Sequence, residues 1–171
     1  MSSVLILMGS DHDLPRMQEA ADALDRLGVS WEMHIASAHR TPDRVSALVS
    51  SAEERGVRVI IAGAGMAAHL AGFAAAQTVL PVIAVPLGGS LGGLDALLAE
   101  VQMPRGIPVA TVAVNGTANA GILAAEILAL AYSALAARLR DHRQALRHEV
   151  EDKDARLAEL GPRAYLGAAH T

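Results

Sequence analysis

Cysteine is absent from the 171 residues, and rings are scarce: one Trp, two Tyr and one Phe. Without cysteine there is no disulfide, no thiolate nucleophile and no Cys-type zinc site, as fits a reducing compartment. Without aromatics the core is left to Ala, Val, Leu and Ile, and the small residues let helices and backbones approach closely. Positive charge is not in excess either. Lys and Arg total 14 against 18 Asp and Glu, for a net charge of −4 and a pI near 5.9. Such a chain offers no basic face to nucleic acid or to an anionic membrane surface. No basic segment precedes the apolar run Val4 to Met8, which is too short for the hydrophobic stretch of a secretory signal. The longest weakly polar stretch, Val59 to Ala76, is interrupted by Gly63, Gly65 and Gly72, which argues against a spanning helix. A soluble cytoplasmic protein is expected, with residues 1–160 forming one domain.

What is present is an alternation of apolar strands and amphipathic helices. Val4 to Met8 and Val57 to Ala62 are continuous apolar runs, as in central parallel strands buried on both faces. Trp31 to Ala36 alternates, with Trp31, Met33 and Ile35 on one face and Glu32 and His34 on the other. Pro81 to Pro86 and Val109 to Val114 complete five strands. Leu14, Met17, Ala21, Leu24 and Gly28 recur at helical spacing behind Asp13 as cap. Val45, Leu48, Val49 and Ala52 do so behind Thr41 as N-cap and Pro42 as the first helical residue. Gly63-Ala64-Gly65 is expected to open a third helix, Leu94 to Val101 to form a short fourth, and an Ala-rich helix to run from Ala118 to about Ala137. Further on, Leu139, Leu146, Val150 and Leu157 form a narrow stripe on a long charged helix that packs against the domain or a neighbouring subunit. Gly161 to Thr171 is expected to be a disordered tail. Strict alternation of strand and helix implies a parallel sheet with right-handed crossovers. Five strands favour the flavodoxin-like order, hence a three-layer α/β sandwich with a long C-terminal helix.

Three strand ends carry polar or glycine-rich segments: Gly9 to Asp13, Ser37 to Arg40, and Gly63 to His69. In this topology one crevice at the carboxyl edge of the sheet collects all three. Ser37-Ala38-His39-Arg40-Thr41-Pro42 brings a hydroxyl, an imidazole and a guanidinium to a helix N-terminus. Arg40 and Ser37 suit a phosphate there, and His39 is the group able to move a proton near neutral pH. Ser10 and Asp13 have a plain reading as turn and cap residues, and a functional one in which Ser10 meets an anion and Asp13 accepts from sugar hydroxyls. Gly63-Ala64-Gly65 lets a ligand approach the backbone closely but lacks the full dinucleotide spacing. His69, among small residues, suits a structural role as well as a catalytic one. His12 sits in the first loop beside the presumed anion site. The seven histidines show no metal-ligand spacing. On these residues alone the chain is an enzyme acting on a phosphorylated small molecule or a non-catalytic flavodoxin-like module that binds one.

Four ordered motifs narrow this. They are Gly9-Ser10-x-x-Asp13, Ser37-Ala38-His39-Arg40-Thr41-Pro42, Ala62-Gly63-Ala64-Gly65-x-Ala67-Ala68-His69-Leu70 and Val101-Gln102-Met103-Pro104-Arg105-Gly106-Ile107-Pro108-Val109. Together they resemble the family of N5-carboxyaminoimidazole ribonucleotide mutases of de novo purine synthesis. The likeness runs from about Val4 to the Ala-rich helix. The resemblance implies a homo-octamer with sites between subunits and neither metal nor organic cofactor. It also implies the reaction, in which a carboxylate on the exocyclic nitrogen moves to ring carbon C4 by decarboxylation and recarboxylation. His39 matches the acid/base; Ser10, Asp13, Ser37 and Arg40 match substrate-binding positions; Gly63, Ala64, Gly65 and His69 match the run beside the base and carboxylate. Arginine after His39, in place of the lysine of the directly carboxylating branch, resembles the mutase branch. Three residues depart from the family pattern: His12 for a usual Ser, Met66 for a usual Gly, and Ala71 for a usual Pro.

Overall fold

The structure is a computed structural model that describes residues 3–168. Five parallel strands, β1 (Val4–Met8), β2 (Trp31–Ile35), β3 (Val59–Gly65), β4 (Val82–Leu87) and β5 (Ala110–Thr111), form one sheet in the order β2-β1-β3-β4-β5. That is the flavodoxin-like order, with the direction of winding reversing between β1 and β3. Among the described residues six α-helices connect or follow the strands: α1 (Leu14–Arg26), α2 (Pro42–Ser50), α3 (Leu70–Ala75), α4 (Leu94–Val101), α5 (Thr117–Ala129) and α6 (Ser133–Ala168). Alternate strand residues divide the core into two layers. Val4, Ile6 and Met8 pack with Met17, Leu24, Ala120 and Ala124 of α1 and α5. Leu5 and Leu7 pack with Val45, Val49, Leu70 and Ala96 of α2, α3 and α4.

Small residues set the spacing of the first layer. A methyl added to Gly121 of α5 would fall 2.5 Å from the Ala20 carbonyl oxygen of α1, so the two helices cross with backbones nearly touching. This is the close approach that an Ala- and Gly-rich, ring-poor composition allows.

Several boundaries differ from the sequence reading, each for a local reason. Gly63-Ala64-Gly65 does not open a helix. It is the end of β3, paired with β4 as Gly63 to Val85, Ala64 to Pro86 and Gly65 to Leu87. Strand β5 keeps two paired residues because the chain leaves β4 after the Val112 N–H donates to the Ala84 carbonyl at 3.1 Å. It then turns at Asn115 (φ 57°), whose N–H donates to the Pro86 carbonyl at 2.8 Å. Strand β2 lies at the sheet edge, so Ile35 on its expected apolar face is 49% exposed. The Ala-rich helix breaks between Ala129 and Ser133, and the bend brings Leu135 and Leu139 into the α1/α5 layer. Leu146, Val150 and Leu157 further along α6 stay exposed. Helical structure also continues past Gly161 (φ 73°) to Ala168, where the sequence suggests disorder. Pro162 is accommodated because it follows that kink, as at the first residue of a helix. The rest of that expected tail, residues 169–171, lies outside the described residues. Among the described residues no helix is long and apolar enough to cross a membrane.

Candidate active site

The carboxyl ends of β1, β2, β3 and β4 surround one cavity of about 430 Å³. Its first wall is the turn after β1. The Ser10 N–H donates to Asp13 Oδ2 at 3.1 Å while Ser10 Oγ accepts from the His12 N–H at 3.3 Å, a reciprocal capping box over Asp11–Asp13. Asp13 therefore closes this turn instead of capping α1, for which it makes no side-chain bond. Partial burial pushes its carboxyl above the ordinary aspartate value, against the Ser10 N–H and the charges of Arg16, His12 and Arg40.

The second wall is the turn after β2. Thr41 stands at the N-cap position of α2 but makes no capping bond. Its Oγ1 instead accepts the Ser37 N–H at 2.9 Å, and its own N–H donates to the Ser37 carbonyl at 2.9 Å. The closed loop thrusts Ala38, His39 and Arg40 out at its tip. The Arg40 N–H donates to Ser37 Oγ at 3.2 Å, and Nη2 donates to the Gly9 carbonyl at 2.6 Å. Arg40 thus ties the β2 turn to the β1 turn. With Gly9, Ser10 and Ser37 it also borders a shallower recess of about 380 Å³.

The third wall follows β3. Met66 takes a left-handed φ of 57°, the Ala68 N–H donates to the Met66 carbonyl at 2.9 Å, and the His69 N–H donates to the Ala67 carbonyl at 2.8 Å. This tight turn carries His69 to the N-cap position of α3 and into the cavity. His39 Nε2 and His69 Nδ1 lie 2.8 Å apart, with ring centroids at 5.0 Å and planes at 80°. One proton must sit between two ring nitrogens at that distance, so one imidazole donates and the other accepts. Leu87, Gly88 and Gly89 at the end of β4 close the fourth side, and Arg16 Nη1 donates to the Gly88 carbonyl at 3.3 Å.

The candidates named from sequence converge in large part. Ser10, Asp13, Ser37, His39, Arg40, Ala64, Gly65 and His69 all line the cavity. Gly63 does not: it is buried one residue pair deeper, where a methyl would lie 2.3 Å from Met17 Sδ. His12 does not line it either. Its side chain is 91% exposed and its Nδ1 lies 3.1 Å from Ser10 Oγ. Sequence reasoning missed Leu70 and Leu87, buried apolar residues of the rear wall. The rule that ligands sit beyond the carboxyl ends of parallel strands, applied to β4 as well, would have found Leu87.

The cavity is divided in character. Ser10, Asp13, Ser37 and Arg40 make one end polar, while Ala64, Met66, Ala67, Leu70 and Leu87 make the other apolar. The facing imidazoles stand between. Such a site, at the switch point of a flavodoxin-like sheet, sets groups able to hold an anionic small molecule beside groups able to move a proton. The chain is more narrowly defined by kinship: it belongs to the AIR carboxylase family, whose model matches residues 3–149. The N5-carboxyaminoimidazole ribonucleotide mutase of Thermotoga maritima is 52% identical over 167 residues, 97% of this chain and 98% of that one. The enzyme of that name from Pyrococcus horikoshii is 53% identical over 162 residues, 94% of this chain and 92% of that one. The phosphoribosylaminoimidazole carboxylase of Schizosaccharomyces pombe is 52% identical over 161 residues, which cover 94% of this chain and 29% of that longer protein. Among solved structures, Treponema denticola PurE superposes with a TM-score of 0.82 at 29% identity, covering 90% of this chain and 97% of that one.

Proposed function

We propose that this chain is an N5-carboxyaminoimidazole ribonucleotide mutase, an isomerase that moves the substrate's N-carboxylate to ring carbon C4. The observation that carries the reading is the His39–His69 contact of 2.8 Å at the boundary between the polar and apolar ends of the cavity. Arg40 and Ser37 hold the phosphate, with Ser10 beside them, and Asp13 accepts from the ribose hydroxyls. His12, outside the cavity, acts through its contact with Ser10 Oγ. The ring and its carboxylate lie against the Ala64 and Gly65 backbone, which Gly63 supports from beneath.

The chemistry then needs only proton movement. The bond between the exocyclic nitrogen and the carboxyl carbon breaks, its electron pair returns to nitrogen, and His39 supplies the proton. Carbon dioxide is released inside the cavity. Ring carbon C4 attacks it, a carbon–carbon bond forms, and His39 takes the C4 proton back. Atoms and charge balance without any other reactant. His69, hydrogen-bonded to His39 Nε2, holds the His39 ring in place. Acid–base help of this kind is worth about 10²–10⁴-fold.

The protein works in the cytoplasm as a homo-octamer with sites between subunits, and it needs no metal or organic cofactor. Exposed Leu94, Leu98 and Val101, spaced along one face of α4, and Leu91 before them supply apolar surface for subunit contact. The deciding experiment gives the purified protein the N-carboxylated ribonucleotide and follows the C4-carboxylated product. Conversion well above the uncatalysed rate is expected. Binding without conversion would make the protein a non-catalytic module. Product formed from aminoimidazole ribonucleotide and low bicarbonate would make it a direct carboxylase.

A further inference from the structure

Met66 is one of two residues other than glycine with a positive φ, at 57°, among the described residues. The conformation is one glycine adopts freely and a side chain only at a cost, so Met66, standing where the family pattern has Gly, is a side chain that this chain carries at a cost. That side chain lines the cavity, and it is 66% exposed. Leu70 and Leu87, the other long apolar residues of the same end, are 2% and 1% exposed and form the rear wall. Met66 is therefore the long apolar group at the mouth. Across from it lies Gly89, where an added methyl would come 3.8 Å from Met66 Cγ, so Met66 approaches the glycine-rich segment after β4, which lines the same cavity.

We infer that Met66 is a retention residue for the proposed reaction: its flexible thioether chain closes the apolar end of the cavity and keeps released carbon dioxide beside C4. This rests on the mutase reading. Carbon dioxide is small, uncharged and apolar. The polar end of the site offers it nothing, and only an apolar wall that excludes water prevents its escape and hydration before C4 attacks. An unbranched Met suits a door that must move for substrate to enter.

The test compares M66G and M66L with the parent enzyme, each turning over the N-carboxylated ribonucleotide in buffer holding ¹³C-bicarbonate. Retention predicts little label in the parent's C4 product. M66G should incorporate label severalfold more and release free aminoimidazole ribonucleotide as a side product. M66G relieves the backbone strain, so its thermal midpoint should not fall and leakage cannot be assigned to unfolding. M66L should return the parent's labelling pattern. Equal labelling in parent and M66G, with no free aminoimidazole ribonucleotide, would overturn the inference while leaving the mutase reading intact. A parent that makes no C4 product at all would overturn both.

Discussion

The molecule holds polar groups in two opposite ways, at the mouth of the sheet and under α4. At the cavity each one is at least partly open to water and has a partner. Ser10 has Asp13, Ser37 has Thr41 and Arg40, and His39 has His69. Under α4 the Glu100 side chain is 1% exposed, and neither carboxyl oxygen has a hydrogen-bond partner. The α4 helix packs on β3, β4 and β5, none of which carries an ionisable side chain, and the nearby Thr111 hydroxyl donates to the Glu100 backbone carbonyl instead. Burial alone pushes the Glu100 carboxyl up to about 8. Partnered groups at the mouth stand where a ligand can reach them. An unpartnered group inside keeps its proton to a higher pH than an ordinary carboxyl does.

The largest expected effect tests the first half of that contrast. His39→Asn keeps a hydrogen-bonding side chain opposite His69 but cannot accept a proton from carbon. Turnover should fall by about 10²–10⁴-fold or more while substrate still binds, as measured by steady-state rates and by calorimetric titration. A variant that keeps the parent's rate would assign the proton transfer to His69 or to another group.

Glu100 tests the other half. Its folded-state pKa lies above that of the unfolded chain, so between about pH 4.5 and 8 the folded form holds a proton that the unfolded form has released. Stability from this group is complete below that range and declines as pH rises through it, by up to a few kcal/mol. Denaturant unfolding from pH 4 to 9 should show the parent losing stability relative to Glu100→Gln, with the two curves meeting at the acid end. Glu100→Leu should be more stable than the parent at neutral pH, since an apolar side chain replaces an unpartnered acid. Parallel curves for the Glu100→Gln variant and the parent would mean that a cation reaches Glu100 in the assembled protein.

The two regions were not equally legible in the sequence. The five strands, their parallel winding and the order of the sheet follow from apolar runs alternating with amphipathic ones. The three strand-end motifs follow from the rule that ligands bind beyond carboxyl ends. Hydrogen-bond destinations were less accessible. Asp13 and Thr41 stand at helix starts, yet spend their side chains on the turns before them, a choice between two local partners that spacing does not decide. Glu100 is invisible for another reason. A single Glu in Leu94–Val101 looks like the polar side of a short helix, and only packing shows that Leu94, Leu98 and Val101 face outward instead. Long-range fit likewise decides the break after Ala129, which depends on where Leu135 and Leu139 find space.

Arg40 belongs to the open region, and a smaller loss is expected there. Its guanidinium joins the turns after β1 and β2 and is proposed to meet the phosphate. Arg40→Ala should raise KM by about 10- to 100-fold with a lesser change in kcat, the range for a charge-assisted contact made equally in ground and transition states. An unchanged KM would leave Arg40 as a tie between two turns and no more.

Gly63 stands at the border of the two regions, and the smallest effect separates them there. Its backbone continues into the cavity wall, but its missing side chain faces Met17, whose Sδ would lie 2.3 Å, and Cε 2.9 Å, from an added methyl. Met17, a residue of α1, is fully buried. Gly63→Ala should therefore overpack the layer and lower stability by about 1–2 kcal/mol, softened because a methionine chain can swing aside. Combining it with a shorter residue at position 17 should recover part of the loss, since the two sites share one space and their effects cannot add. KM and kcat should change little, because no part of that methyl reaches the cavity. If Gly63→Ala instead keeps its thermal midpoint and loses substrate affinity, the boundary drawn between cavity and core is misplaced by one residue pair, and the glycine acts on the ligand directly.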